Sequence, residues 1–149
     1  MKKINLIEII SICFVAVSIA LMWLPSGVAM GFVSDPGPPM EYVLHSYPYI
    51  SGMPIGYGNW FPIITALLTF AILLMLIFIT ARKATSGSNT KTAVLICLSV
   101  CIIASPLSWL IFGGAYAITV VGITVFALHL ATLVLLLIER KKLVTAQAQ

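Results

Sequence analysis

Four long apolar runs, at 4–24, 61–81, 92–112 and 116–138, leave this chain of 149 residues few folds to choose from. Each has about the ~20 residues that an α-helix needs to cross the ~30 Å hydrocarbon core of a bilayer. In lipid the backbone polar groups must be satisfied within the segment, so such runs read as helices. Composition agrees, with 61% hydrophobic and 8% charged residues, against ~45–50% and ~25% in a soluble domain. A soluble enzyme, a disordered chain and a nucleic-acid-binding domain are thereby excluded. The chain does carry eight basic against four acidic residues, but each basic residue flanks an apolar run and none builds a binding stripe. The expected fold is an all-α membrane protein, a four-transmembrane-helix bundle forming a single membrane domain over 1–149, with the lipid bilayer as its first partner. Between the last two runs stand only Gly113-Gly114-Ala115, and the glycine pair predicts a tight helical turn.

Orientation follows from charge. Lys2 and Lys3 precede the first run, Arg82, Lys83 and Lys91 lie between the second and third, and Arg140, Lys141 and Lys142 follow the fourth. The loop at 25–60 has no basic residue and neither does the turn at 113–115. The positive-inside rule then places both termini in the cytoplasm and the 25–60 loop outside the cell membrane. Trp23, Trp60, Trp109 and Tyr116 fall at the outer ends of the runs, where amphipathic rings favour the headgroup level. The first run has a second reading. Lys2-Lys3, an apolar stretch and then Pro25-Ser26-Gly27-Val28-Ala29 also fit a signal peptide, whose cleavage would leave three spans in the same orientation.

The outer loop is rich in proline and glycine and holds Asp35 and Glu41. Ser34-Asp35-Pro36-Gly37 is a turn signal, because proline presets φ and glycine accepts positive φ. β-branched and aromatic residues flank it at 28–33 and 41–47, which predicts a short β-hairpin. An isolated hairpin is marginal, so it is expected to pack on the helix ends through Tyr42, Tyr47 and Trp60. Farther on, Asn59 suits an N-cap and Pro62 the first turn of the second span. Tyr42, His45, Tyr47, Tyr57, Asn59 and Trp60 are the candidate outer-loop surface, with Asn59 and Trp60 also readable as a helix cap and a membrane anchor. The stretch 56–69, Gly-Tyr-Gly-Asn-Trp-Phe-Pro-Ile-Ile-Thr-Ala-Leu-Leu-Thr, resembles the same region of small four-span membrane proteins of Gram-positive bacteria that have no assigned activity. The resemblance implies a similar layout and no site.

Ionisable groups inside spans are functional candidates by default, and here they are Glu8 and His129. Glu8 lies one turn into the first run, within reach of Arg82, Lys83 or Arg140. His129 lies nine residues from Ile138, or ~14 Å at 1.5 Å per residue, near the midplane. A neutral imidazole needs a hydrogen-bond partner there. If the last two helices form a tight hairpin, His129 is level with Ser99 and close in depth to Cys101 and to the Ile102 carbonyl, which Pro106 deprives of its helical donor. The expected partner therefore comes from the third span. Small residues mark packing seams: Ala93, Cys97, Cys101, Ala104, Ser105 and Ser108 in the third span, Ala115, Gly122 and His129 in the fourth, and Thr65 with Thr69 in the second. Such seams also permit a homo-oligomer.

Cys13, Cys97 and Cys101 all lie within apolar runs and read as buried thiols rather than a disulfide framework or zinc site. No catalytic triad, carboxylate pair, phosphate loop or metal motif appears, so no enzyme activity and no cofactor is expected. Two functions stay open. One is a non-enzymatic partner-binding or envelope module acting through the outer loop, with a membrane or extracellular protein as partner. The other is a small transporter or channel using His129 and Glu8.

Overall fold

The computed structural model describes residues 5–35, 41–56, 58–82, 88–112 and 116–147. Along the chain run α1 (Leu6–Met22), β1 (Val28–Asp35), β2 (Glu41–Tyr47), the single turn α2 (Gly52–Gly56), α3 (Phe61–Arg82), α4 (Ser88–Phe112), β3 (Tyr116–Ala117) and α5 (Val120–Gln147). Three of the helices, α3, α4 and α5, are long and apolar enough to cross a membrane. The fourth, α1, is apolar but has 17 residues, a length of ~25 Å at 1.5 Å per residue.

The long helices pack as a closed ring. α1 neighbours α3 and α5, and α4 also neighbours α3 and α5. α1 is therefore diagonal to α4, and α3 is diagonal to α5. Each helix buries one narrow stripe at spacings of three and four: Ser11, Val15, Ser18 and Met22 on α1; Thr65, Thr69, Ile72, Leu76 and Ile79 on α3; Val94, Leu98, Cys101, Ala104 and Ser108 on α4; and Val125, His129, Thr132, Leu136 and Glu139 on α5. The outward faces are apolar, with Leu110 77% and Val120 81% exposed and Leu67, Phe70, Ile96 and Ile103 more than half exposed. A soluble bundle presents charge there. This one keeps its polar residues inside and its large aliphatics outside, as a hydrocarbon solvent requires.

The expected hairpin forms. β1 pairs antiparallel with β2 from Val28–Tyr47 to Asp35–Glu41, with a register shift between Val33 and Asp35. The turn at 36–37 lies outside the described residues. β3 adds to the other edge of β1 through Ala29–Ala117 and Met30–Tyr116, giving the order β2-β1-β3. The fourth apolar run therefore does not begin helical at Tyr116. Its first residues are drawn into the sheet, and the helix starts at Val120; 113–115 lie outside the described residues.

Other boundaries also move. α4 starts at Ser88, before the apolar run at 92–112, and α5 runs to Gln147, beyond the end of the run at 116–138. Helix formers such as Glu139, Arg140, Lys141 and Lys142 extend α5 beyond the apolar run because nothing in them breaks a helix. α4 also continues through Pro106.

The hairpin does not seat through Trp60, which is exposed; the side chain of Tyr42 lies outside the described residues. The seat is Tyr49, buried with Met22, Val28, Met30, Ala66 and Val125 and flanked by the partly buried Tyr47. Tyr49 N–H donates to the Met22 carbonyl at 3.0 Å, tying the returning loop to an end of α1 that has no further helical donor. Burial pushes the Tyr49 phenol up to about 12.

Candidate functional site

Most polar residues of the core lie at three levels along the bundle axis. The first is at His129, which is fully buried. Its Nε2 lies 3.1 Å from Thr69 Oγ1, across the α3–α5 diagonal. The partner is therefore on the second long apolar run and not on the third, as depth alone suggested. Ser99 does not approach it. Its hydroxyl donates to the Leu95 carbonyl of its own helix at 2.9 Å, and Ser105 does the same toward the Cys101 carbonyl.

The proton count at this level is determined by geometry. Thr69 Oγ1 donates to the Thr65 carbonyl at 2.6 Å, which uses its single proton. Thr69 can only accept from the histidine, so Nε2 carries hydrogen and Nδ1 is a bare acceptor. Nδ1 is buried with no partner among the described residues. Cys101 closes the group, its Sγ 3.8 Å from the Thr65 carbonyl and 4.0 Å from Thr69 Oγ1.

One good hydrogen bond and one bare acceptor nearly offset each other. An interhelical hydrogen bond in a membrane contributes ~0.6–2 kcal/mol, and an unpaired buried acceptor costs ~1–3 kcal/mol. His129→Leu is accordingly expected to change the stability of the bundle in micelles by about 1 kcal/mol or less. A reversible unfolding titration checks this, and a loss several times larger would show that His129 holds the helices together.

The second level, toward the chain termini, is ionic. Lys91 Nζ reaches Glu8 Oε1 at 3.1 Å and Glu139 Oε1 at 2.6 Å, and the Thr80 hydroxyl lies 3.5 Å from Glu8 Oε2. The cation that anchors Glu8 is Lys91 and not Arg140; of the other two candidates, the side chain of Arg82 and all of Lys83 lie outside the described residues. All four long helices contribute, and Lys91–Glu8 spans the α1–α4 diagonal. The side chain of Glu139 is 8% exposed and that of Lys91 29%. A cavity of about 20 Å³ lies beside the triad, walled mainly by Leu76, Ile79, Val94 and Leu136. Between this level and His129, the residues Val15, Ile72, Leu76, Val94, Leu98 and Leu136 pack as an apolar cluster, with Ser11 and Thr132 buried on the same stripes of α1 and α5.

The third level lies under the hairpin. Asn59 is fully buried. Its Oδ1 accepts the Phe61 N–H at 3.2 Å as the N-cap of α3, and its Nδ2 donates to Ser108 Oγ at 2.7 Å. It is thus a cap that also joins α3 to α4. Gly58, at φ +81°, makes the turn that aims Asn59 inward, a conformation open to glycine at little cost.

Of the outer-loop candidates, His45 is exposed and stacks edge-on against Phe32 at 5.5 Å. Tyr47 is half-buried, Trp60 lies exposed at the start of α3, and Tyr57 lies outside the described residues. Among the described residues no group of three His, Cys, Asp or Glu side chains could hold a metal ion.

Sequence reasoning missed Thr69, Lys91, Glu139 and Tyr49. The Thr65/Thr69 spacing signalled the first, and the position of Lys91 just before an apolar run signalled the second. The sequence matches no family model, and neither a curated protein nor a solved structure matches the chain.

Proposed function

We propose that this chain is a multi-pass protein of the cell membrane with four crossings and both termini cytoplasmic. It acts as a non-enzymatic partner-binding or envelope module through the outer hairpin. The resemblance of residues 56–69 to the same region of small four-span proteins of Gram-positive bacteria supports this layout and names no activity. Four crossings are supported by the membership of α1 in the closed ring, where Glu8 is bound to Lys91 and the stripe from Ser11 to Met22 is buried. Cytoplasmic termini are supported by the complete segregation of basic residues.

The observation that carries the docking role is the outer edge of β2, which pairs with no further strand among the described residues. The sheet order β2-β1-β3 leaves β2 outermost, and Val43, Leu44, His45 and Ser46 are all exposed. Proteins normally blunt such an edge with charge or proline, and an apolar open edge is a template for strand addition. The occupant is an extended segment of a membrane or extracellular protein. A second copy of the chain is the other outcome the experiment distinguishes.

A photoactivatable residue at position 44 should crosslink in cells to one protein, and Val43→Lys should abolish the adduct. The lysine variant should keep its fold, because exposed substitutions shift stability by about 0.5 kcal/mol or less. Adducts to lipid alone would refute the docking role. The alternative, a small transporter or channel using His129 and Glu8, has one observation in its favour, the two polar levels on the bundle axis. The packed layer between them stands against it.

A further inference from the structure

A cavity of about 10 Å³ lies where the hairpin base meets α3 and α4, with Tyr49, Thr65, Ser105 and Ser108 in its wall. Thr65 Oγ1 is buried and has no partner among the described residues, leaving both its proton and its lone pairs unused. Ser105 donates to the Cys101 carbonyl, so its oxygen can still accept. Ser108 accepts from Asn59, so its proton can still be given.

The wall therefore offers donors and acceptors together, in a space close to the ~10–15 Å³ that one water requires, and a stable buried water needs ~2–4 polar partners. We propose that this cavity is a hydration site. It holds one water between Thr65, Ser105 and Ser108 that exchanges with the solution on the hairpin side. A larger ligand does not fit, and an apolar one would leave three hydroxyls unmatched.

The bundle is then asymmetric. Water reaches the level of Thr65, one helical turn from Thr69 and His129, while the apolar layer around Leu76, Leu98 and Leu136 closes the other half. This inference does not depend on what docks on β2.

The test uses the sign of one substitution. Thr65→Val keeps the shape and removes the hydroxyl. If water is bound, the change breaks its hydrogen bonds and the unfolding midpoint of the full-length protein falls. If the cavity is dry, the change removes an unpaired buried hydroxyl and the midpoint rises. A lowered midpoint is expected, and an unchanged or raised one overturns the proposal.

A second arm does not rely on the folding of that variant. In protein whose three cysteines are replaced by alanine, Thr65→Cys and, separately, Ile72→Cys are exposed to silver ion from the hairpin side. The thiols are then alkylated in denaturant. Silver should protect position 65 and leave position 72, in the apolar layer, open to alkylation. Failure to protect position 65, or equal protection of both, overturns the hydration site.

Discussion

Replacing Lys91 by methionine is expected to lower the stability of the folded bundle by about 3 kcal/mol, at the lower end of what removing one partner of a buried ion pair costs. Lys91 is the cation that Glu8 and Glu139 share, and both carboxylates are largely buried. Without it, two negative charges face each other at the junction of four helices. The lower end of the range applies because 29% of the Lys91 side chain is exposed, so water screens part of the loss.

The triple change Lys91→Met, Glu8→Gln and Glu139→Gln should recover most of the stability, since removing a whole buried ionic group is often neutral. Unfolding titrations of the single and triple variants in mixed micelles check both. If the single variant were as stable as the parent, the triad would be a surface contact and not the lock of this end of the bundle.

The second large effect is expected at Gly27. A Cβ there would lie 2.7 Å from Tyr49 Cδ2, 3.2 Å from Cε2 and 3.3 Å from the Tyr47 carbonyl oxygen. The Tyr49 ring is 6% exposed and held in the cluster with Met22, Val28 and Met30, so it cannot simply swing aside. Gly27→Ala should cost about 1–3 kcal/mol, the usual penalty for overpacking. The loss should fall on the hairpin and spare the helices. Amide exchange is expected to accelerate in β1 and β2 while the protected cores of α3 to α5 keep their rates. Gly27→Ala combined with Tyr49→Leu, which clears the ring, should restore much of the protection. Unchanged exchange in β1 and β2 in the single variant would mean that Tyr49 does not seat the hairpin.

Glu8, His129 and the hairpin were legible in the residues, and their partners were not. The reason is geometric. Hydropathy and charge fix how deep a residue sits, because depth is a count of residues times the helical rise. They say little about which helix faces it across the axis. A tight hairpin between the last two helices directs His129 to Ser99, whose hydroxyl is already used by the Leu95 carbonyl. The ring of helices instead sets α5 diagonal to α3, where Thr69 waits.

Lys91 was read as a marker of orientation, and its position four residues into α4 makes it an internal cation as well. The pairing of Tyr116 and Ala117 with β1 has no signal of its own, because two residues are too few to show a period of two. Tyr49 could not be separated from Tyr42 and Tyr47 by composition. Only the approach of Gly27, which leaves room for its ring, singles it out. Asn59 needed no such help, since an asparagine two residues before a Phe-Pro helix start already reads as a cap.

The most direct test of the whole account is where three single thiols lie relative to the membrane. In a background with Cys13, Cys97 and Cys101 changed to alanine, Lys3→Cys, Ser34→Cys and Ser86→Cys are each treated with an impermeant thiol reagent on intact cells and again after permeabilisation. Four crossings with cytoplasmic termini predict that position 34 reacts in intact cells, and that positions 3 and 86 react only once the membrane is opened. Reaction of position 3 in intact cells would show that α1 does not cross. Loss of position 3 from the mature protein would show that the first run is cleaved, and reaction at position 86 but not 34 would invert the orientation; any of these would contradict the four-span account.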